Sequence, residues 1–401
     1  MGCIWRLVIA MAMIISLSPQ GFSTPPPVSI GLDADMSSGS ARAGNAIRLG
    51  AQLAVDQINQ AGGVLGHPLT LMVRDHRGNP ARGIDNIKAF GDVPGLLAVL
   101  GGLHTPVALA ELEIIHKEKI IYLAPWAAGT PVVDNGHDPN YVFRVSVRDE
   151  FAGDFLVKQV LAAGHTRPAL LLEYTGWGRS NQKSMTRALG NRGLEPAGIF
   201  WFNWGAHSLT HQVSQAVDQG ADVILLVSNA PEGVLAVRAV AQLPRDKRLP
   251  IFSHWGITGG DFFARARDWL PRVSLQFLQT HSFIRPRFPD RNRAVLTALQ
   301  RRNPHIRGPG DISAPAGTAH AYDLVFLLKQ AVERADSFDR EAVRTALEHL
   351  PPYPGLVKTY APAFTPDRHD ALDPGDFTLS RFSPTGVILP IPHEEVGHDH
   401  P

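Results

Sequence analysis

The 401-residue sequence is 44% hydrophobic and 19% charged, enough apolar content for two cored domains and without the bias of a disordered or fibrous chain. Its formal net charge at pH 7 is +1, which gives no electrostatic footprint for nucleic acid or anionic lipid. The one cysteine, Cys3, precedes the first apolar run, so the rest of the chain has no thiol for a disulfide, a nucleophile or a metal cluster.

In chain order, Arg6 is the only charge ahead of "LVIAMAMIISL" (Leu7 to Leu17), a run too short for a comfortable membrane span and followed by the small residues "GFS". The pattern reads as a secretory signal peptide, residues 1–23, cut near Ser23, with retention as an anchor the alternative. A lipid-anchor cysteine would follow the apolar run, whereas Cys3 leaves with it. Removing Arg6 from the 38 basic residues makes them equal to the 37 acidic ones.

From Val28 the pattern alternates strand and helix. "VSIGL" precedes Ala41 to Ala61, where Ile47, Ala51, Ala54, Val55 and Ile58 share one helical face and Gly62-Gly63 ends the helix. "LTLMV", "LLAVL" and "KIIYLA" read as strands, with a helix starting at Pro106 between the last two. A second series starts after "YVFRVSVRDEFAGDF": strand "ALLLE", a helix from about Arg179, strand "IFWF", a helix near Ser208 to Val217, strand "DVILLVS", a helix after Pro231 and strand "PIFSHW". Later helices ("DRNRAVLTALQRR", "GTAHAYDLVFLLKQAVERA", "REAVRTALEHL") and strands ("FTLSRF", "GVILPI") must be shared between the two units. The fold class is therefore α/β, with two doubly wound parallel-sheet domains.

The stretch "AVLGGLHTPVALA" stops a buried strand at two glycines and opens a helix at Pro106, which makes Thr105 the expected N-cap. Its hydroxyl and the free N–H groups behind it face out from the C-terminal end of the strand, where open α/β sheets hold ligands. Thr105 either caps its helix only or also touches a ligand.

The order and spacing of "GAQLAVDQINQAGGVLGHPLTLMVRD", "GGLHTPVALA", "YLAPWAAGTP", "VFRVSVRDEFAG", "GWGRSN" and "AHAYDLVFLLKQAVERA" resemble the type 1 periplasmic binding proteins, especially the leucine/isoleucine/valine-binding branch that serves ABC importers. The resemblance runs from about Val28 to Ile391. It implies two domains joined by a three-strand hinge, with a ligand cleft between them that closes on a small molecule. Domain 1 would comprise 28–147 plus 280–351, domain 2 would comprise 148–279 plus 352–391, and 392–401 would be a flexible tail.

Carried over residue by residue, the resemblance places Thr105 where a hydroxyl and N–H hold the ligand's carboxylate, with His104 beside it as a donor or as packing. Trp126 and Ala127 fall in the first-domain wall, Trp177 at the aromatic wall of the second domain, and Asn229 at a polar position after the next strand. Trp255 stands where amino-acid binders have an acidic residue for the α-ammonium, and a buried ammonium without a carboxylate is costly. The implied ligand is therefore an aromatic or other apolar carboxylate, an amino-acid-like compound or a quaternary amine, walled by tryptophans. Arg42, in a loop over the cleft, would clamp a carboxylate or remain a solvated surface residue. Asp149 and Glu150 open a helix, where acidic residues are favoured in any case.

The tail residues His393, Glu394, His398, Asp399 and His400 are metal donors by type but lack the spacing of a structured site, and no nucleotide-binding, zinc-protease or serine-hydrolase motif occurs. The expectation is a non-enzymatic, monomeric periplasmic receptor with no cofactor or metal. Its partners would be a small-molecule ligand and ABC permease subunits. A ligand sensor of the same fold, coupled to a signalling partner, is the alternative.

Overall fold

A computed structural model describes residues 25–392, so the signal-peptide reading and the histidine-rich tail lie outside the described residues. The first lobe is built on β1 (Val28–Ala34), β2 (Leu69–Asp75), β3 (Leu96–Leu100), β4 (Ile121–Ala124) and β5 (Val142–Arg144), all parallel in the order β2-β1-β3-β4-β5. Helices α1 (Ala41–Gln60), α2 (Pro80–Gly91), α3 (Thr105–Lys117) and the short α4 (Thr130–Val133) connect them. Strands β1, β3 and β4 are buried along their whole length, which explains the apolar runs of β3 and β4, whereas β1 also buries Ser29 and Asp33.

The second lobe repeats this plan with α5 (Asp149–Ala162), β6 (Pro168–Glu173), α6 (Gly176–Gly190), β7 (Gly198–Phe202), α7 (Thr210–Asp218), β8 (Val223–Val227), α8 (Ala230–Ala241), β9 (Ile251–Ser253), α9 (Phe262–Ala266) and β10 (Leu275–Gln279). Its parallel order β7-β6-β8-β9-β10 is that of the first sheet, so the strand order reverses at β1/β3 in one lobe and at β6/β8 in the other. The chain then returns to the first lobe through α10 (Pro289–Arg302), α11 (Pro315–Ala335), which packs on α1, and α12 (Arg340–Leu347). After the small ribbon β11 (Tyr353–Pro354) and β12 (Thr359–Tyr360), the antiparallel strands β13 (Thr378–Phe382) and β14 (Ile388–Pro390) extend the second sheet beyond β10. No described helix is long and apolar enough to cross a membrane.

Three helix starts and one passage differ from the sequence expectation. Helix α6 begins at Gly176 rather than near Arg179, because Thr175 caps it by accepting from the N–H groups of Trp177 and Gly178. In α3 the N-cap is His104, with extended backbone, and Thr105 is already helical. Arg42 lies in the first turn of α1 rather than before it. The third passage between lobes was expected at 351, yet Asp323 of α11 accepts from the N–H groups of Leu356 and Val357 and from the Tyr360 hydroxyl, and Arg144 N–H donates to His369 O. Residues 353–371 thus stay with the first lobe, and the chain joins the second sheet only at Thr378.

Within the first lobe, Asp33 of β1 and Glu111 of α3 are buried and hydrogen-bonded to each other, with Asn86 donating to Asp33 and the Tyr122 hydroxyl to Glu111. Two carboxyls in this contact must share a proton. Burial pushes Asp33 up to about 7 against the hydrogen bonds from Glu111 and Asn86, and burial with Asp33 beside it pushes Glu111 well above the usual carboxylate range. A raised acid contributes stability that is fully present below its unfolded value and is lost as pH rises through its folded value. Asp33→Asn should therefore gain in melting temperature over the parent protein as pH is raised from 4 to 7, where the parent must part with the shared proton. Parallel melting-temperature curves for the two proteins over that range would contradict the assignment.

Candidate ligand cleft

The two order reversals face each other, and the C-terminal strand ends of both lobes supply the walls of one cavity. From the first lobe come His104 and Thr105 after β3, and Trp126, Ala127 and Ala128 after β4. From the second come Glu173 at the end of β6, Trp177 in α6, Trp204 after β7, Asn229 after β8 and Trp255 after β9. The cavity is nearly shut, with about 10 Å³ open to the centre of a water molecule, room for about one water.

Tryptophan dominates the walls. Trp126 of the first lobe and Trp255 of the second stack across the cleft with centroids 4.9 Å apart and planes 25° from parallel. Trp177 donates through Nε1 to Asp149 Oδ1 at 3.2 Å, and its ring meets His254 edge-on. His254 Nδ1 accepts from Trp255 N–H, which leaves the imidazole proton on Nε2, 3.2 Å from Asp149 Oδ1. Asp149, at the start of α5, thereby holds Trp177 directly and faces the imidazole that accepts from Trp255 N–H. Gly256 makes this packing possible, because a Cβ there would lie 2.5 Å from both the Trp177 ring and Ser228 O.

The first-lobe wall is held from behind. Arg144, fully buried, pairs with Asp370 and donates through Nη1 to the carbonyls of Ala127 and Gly129. His320 of α11 donates through Nδ1 to Pro125 O at 2.8 Å, so its Nε2 accepts from Thr280 Oγ1 at 2.9 Å. The loop carrying Trp126 is thus tied to the second passage between lobes.

Thr105 Oγ1 accepts from Gly129 N–H at 3.1 Å, which joins the helix start to the Trp126 loop and leaves the hydroxyl proton for another acceptor. Thr105→Val should cost about 1 to 3 kcal/mol of stability even without ligand, because Gly129 N–H is left buried and unpaired. Urea denaturation with an unchanged midpoint would contradict this structural half of its role. His104 Nε2 lies 3.5 Å from Asp35 Oδ2 and its ring is 5.2 Å from Trp204. Burial works against ionisation of Asp35, but hydrogen bonds from His104, Ser38 and Ser40 outweigh it and hold the carboxyl below its ordinary range.

Of the residues singled out in the sequence, His104, Thr105, Trp126, Ala127, Trp177, Asn229 and Trp255 line this cavity. Arg42 does not. It reaches across to Asp261 at the start of α9, an ion pair between the lobes with side chains 49% and 64% exposed, worth at most about 1 kcal/mol. Among the aromatic and charged wall residues, Glu173 and Trp204 escaped the sequence reading. Glu173 is fully buried and accepts from Thr175 Oγ1 at 2.6 Å, Trp204 Nε1 at 2.9 Å and Asn229 Nδ2 at 3.1 Å. The available signal was a charge closing the apolar run "ALLLE" at a strand end that faces the cleft. On the other side of His104, Trp204 and Asn229 a second cavity of about 160 Å³ is also walled by Arg77 and Glu232. Among the described residues no group of three or more His, Cys, Asp or Glu side chains is placed to hold a metal ion.

Two similar α/β lobes, three passages between them and an aromatic cavity at their facing strand ends define a two-lobed solute-binding protein. Residues 27–378 match the periplasmic binding protein family, and the chain belongs to it. It is 26% identical over 326 residues to the Leu/Ile/Val-binding protein BraC3 of Rhizobium johnstonii, covering 80% of this chain and 83% of that one. The type 1 periplasmic binding protein of Bordetella pertussis Tohama I superposes with a TM-score of 0.82 at 21% identity, over 91% of this chain and all of that one. A solute-binding protein of an ABC transporter from R. palustris, solved with 4-hydroxybenzoate, gives a TM-score of 0.77 at 16% identity over 91% and 95% of the two chains.

Proposed function

We propose that the protein is the periplasmic solute receptor of an ABC importer, exported by its N-terminal segment, acting as a monomer and delivering a small organic ligand unchanged to permease subunits. The observation that carries this reading is the stack of Trp126 on Trp255, two rings from opposite lobes that meet only when the cleft is shut. A ligand entering between them must part the lobes, and closure over it turns binding energy into a shape the permease can read. Hydrogen bonding from Thr130 N–H to Ser180 Oγ and the Arg42–Asp261 pair bridge the lobes beside the cavity, and both are weak enough to break on opening.

The walls favour a flat or apolar ligand body. Relatives named for leucine, isoleucine and valine and a neighbour solved with 4-hydroxybenzoate share the fold with different ligands, so the choice rests on the wall residues rather than on the lobes. The reading is non-catalytic, since no nucleophile is seated against the buried His254–Asp149 pair and the Ser253 hydroxyl donates to the His254 carbonyl instead. A thermal-shift panel on refolded, ligand-free protein, with leucine, phenylalanine, phenethylamine and 4-hydroxybenzoate, tests it. A bound compound at a hundred times its Kd stabilises the fold by about 2.7 kcal/mol. No shift from any of the four at millimolar concentration would contradict it.

A further inference from the structure

The charges of the cavity do not balance. Among its lining residues the ionisable groups are His104, which faces Asp35, and Glu173. All three side-chain donors on Glu173 are neutral, a hydroxyl, an indole and an amide, so its charge meets no cation. The acids around it add to the imbalance. Glu232 of α8 accepts from Gly205 N–H, and Asp149 of α5 holds Trp177 and faces His254. The guanidinium behind the opposite wall, Arg144, pairs with Asp370 and donates through Nη1 to two carbonyls, and its buried, unpartnered Nη2 does not line the cavity. A carboxylate brought to this side of the cleft meets repulsion, whereas a cation meets a desolvated acceptor surrounded by tryptophan rings.

We propose that Glu173 is the specificity-determining acceptor for a cationic nitrogen of the ligand, so that the receptor selects small organic ammonium compounds. This rests on the receptor reading above and names its substrate class. Trp255 fills the position after β9 with a ring, and the acid of this cavity is Glu173, at the end of β6. Asn229 and Trp204 fix its Oε2, while Thr175 links its Oε1 to the first turn of α6, where Trp177 begins. The ligand's ammonium would sit on the carboxylate with its apolar body between the rings, and an amino acid would additionally set its own carboxylate toward the Thr105 hydroxyl and the start of α3.

Burial, with Glu232 and Asp149 adding to it, outweighs the hydrogen bonds from Thr175 and Trp204 and pushes the empty-site Glu173 carboxyl up to about 7. A cation must then displace a proton at lower pH. The groups that face this region from the packed elements are Glu232 on α8, Asp149 on α5, His254 after β9, and His104 with Asp35 in the first lobe, with two cations further out, Arg77 on the far side of His104 and Arg265 of α9 toward Glu232. Protonation of either histidine opposes a cation in the same sense, so the test removes Glu173 itself.

Calorimetry with phenethylamine, phenylalanine and 3-phenylpropanoate, three probes of one skeleton, should show the two amine-bearing compounds binding at least tenfold more tightly than the anion. Phenethylamine affinity should rise by up to tenfold per pH unit toward pH 7 and level off above it. Glu173→Gln should weaken phenethylamine at least tenfold and flatten that rise. The preference of the parent protein for phenethylamine over 3-phenylpropanoate keeps the assignment testable if the variant folds poorly. Tighter binding of 3-phenylpropanoate, or an affinity of phenethylamine that does not change with pH or with Glu173→Gln, would overturn the assignment while leaving a ligand-binding receptor. If no probe binds and 4-hydroxybenzoate and leucine also fail, the receptor reading falls with it.

Discussion

Replacing Arg144 by Met should destabilise the protein by about 3 kcal/mol, the largest stability effect expected of any residue behind the cleft. The side chain is fully buried, pairs with Asp370 and donates to the carbonyls of Ala127 and Gly129. Breaking one side of a buried ion pair typically costs about 3 to 5 kcal/mol, because the remaining charge stays desolvated and uncompensated. The effect belongs at the low end of that range, since Arg148 Nη1 keeps a contact of 3.1 Å with the other oxygen of Asp370. The Trp126 loop also loses its anchor, so ligand affinity should fall together with stability. Urea denaturation would show a lower midpoint with an unchanged slope. A loss below about 1 kcal/mol would mean that the loop holds its shape without the guanidinium.

Trp255→Ala carries the largest expected effect on binding. The ring is buried, stacks on Trp126 from the opposite lobe and lies 5.7 Å from the His320 ring, so it links the second lobe to the helix that ties down the Trp126 loop. Central aromatic anchors typically cost about 2 kcal/mol or more when truncated, some thirtyfold in Kd. Trp255→Phe keeps a face for stacking and should recover most of that loss. Calorimetry with whichever panel compound binds tightest decides the matter. Equal affinity of the alanine variant and the parent would remove the cross-cleft stack from the site.

Local sequence carries the strand and helix alternation well, because fully buried parallel strands such as "LLAVL" and "VILLV" are apolar throughout and are bounded by turn or polar residues. It also leads to most of the cleft, since in such sheets the residues just after strands, His104, Trp126, Asn229 and Trp255 among them, meet at the strand ends. Glu173 was overlooked for a related reason. It is the last strand residue rather than the first loop residue, and a pattern of hydrophobicity gives no sign of which way a terminal side chain turns.

The boundary near 351 shows a different limit. Residues 353–371 contain only short, proline-broken strands, and what holds them to the first lobe is a contact from Asp323, more than thirty positions earlier, that no local period announces. Arg42 was placed near the cleft correctly in sequence terms, but its reach and the position of Asp261 direct it to the rim rather than the cavity. The helix of Thr105 begins one residue earlier than its Pro106 suggests, because the threonine hydroxyl is drawn to Gly129 instead of to the helix's own N–H groups.

The central claim is that the lobes open and close over a ligand held between Trp126 and Trp255. The sequence has one cysteine, Cys3, so spin labels can be introduced at Lys117→Cys on the first lobe and Asp268→Cys on the second in a chain starting after Ser23, at side chains 76% and 84% exposed. Pulsed dipolar spectroscopy on refolded, ligand-free protein, repeated with the tightest-binding compound of the panel at saturation, measures the distance between lobes directly. The account predicts a broad or two-population distribution that collapses on binding to one short distance, with Trp255→Ala reducing the collapse. A single distribution, identical with and without a compound that calorimetry shows to be bound, would contradict it.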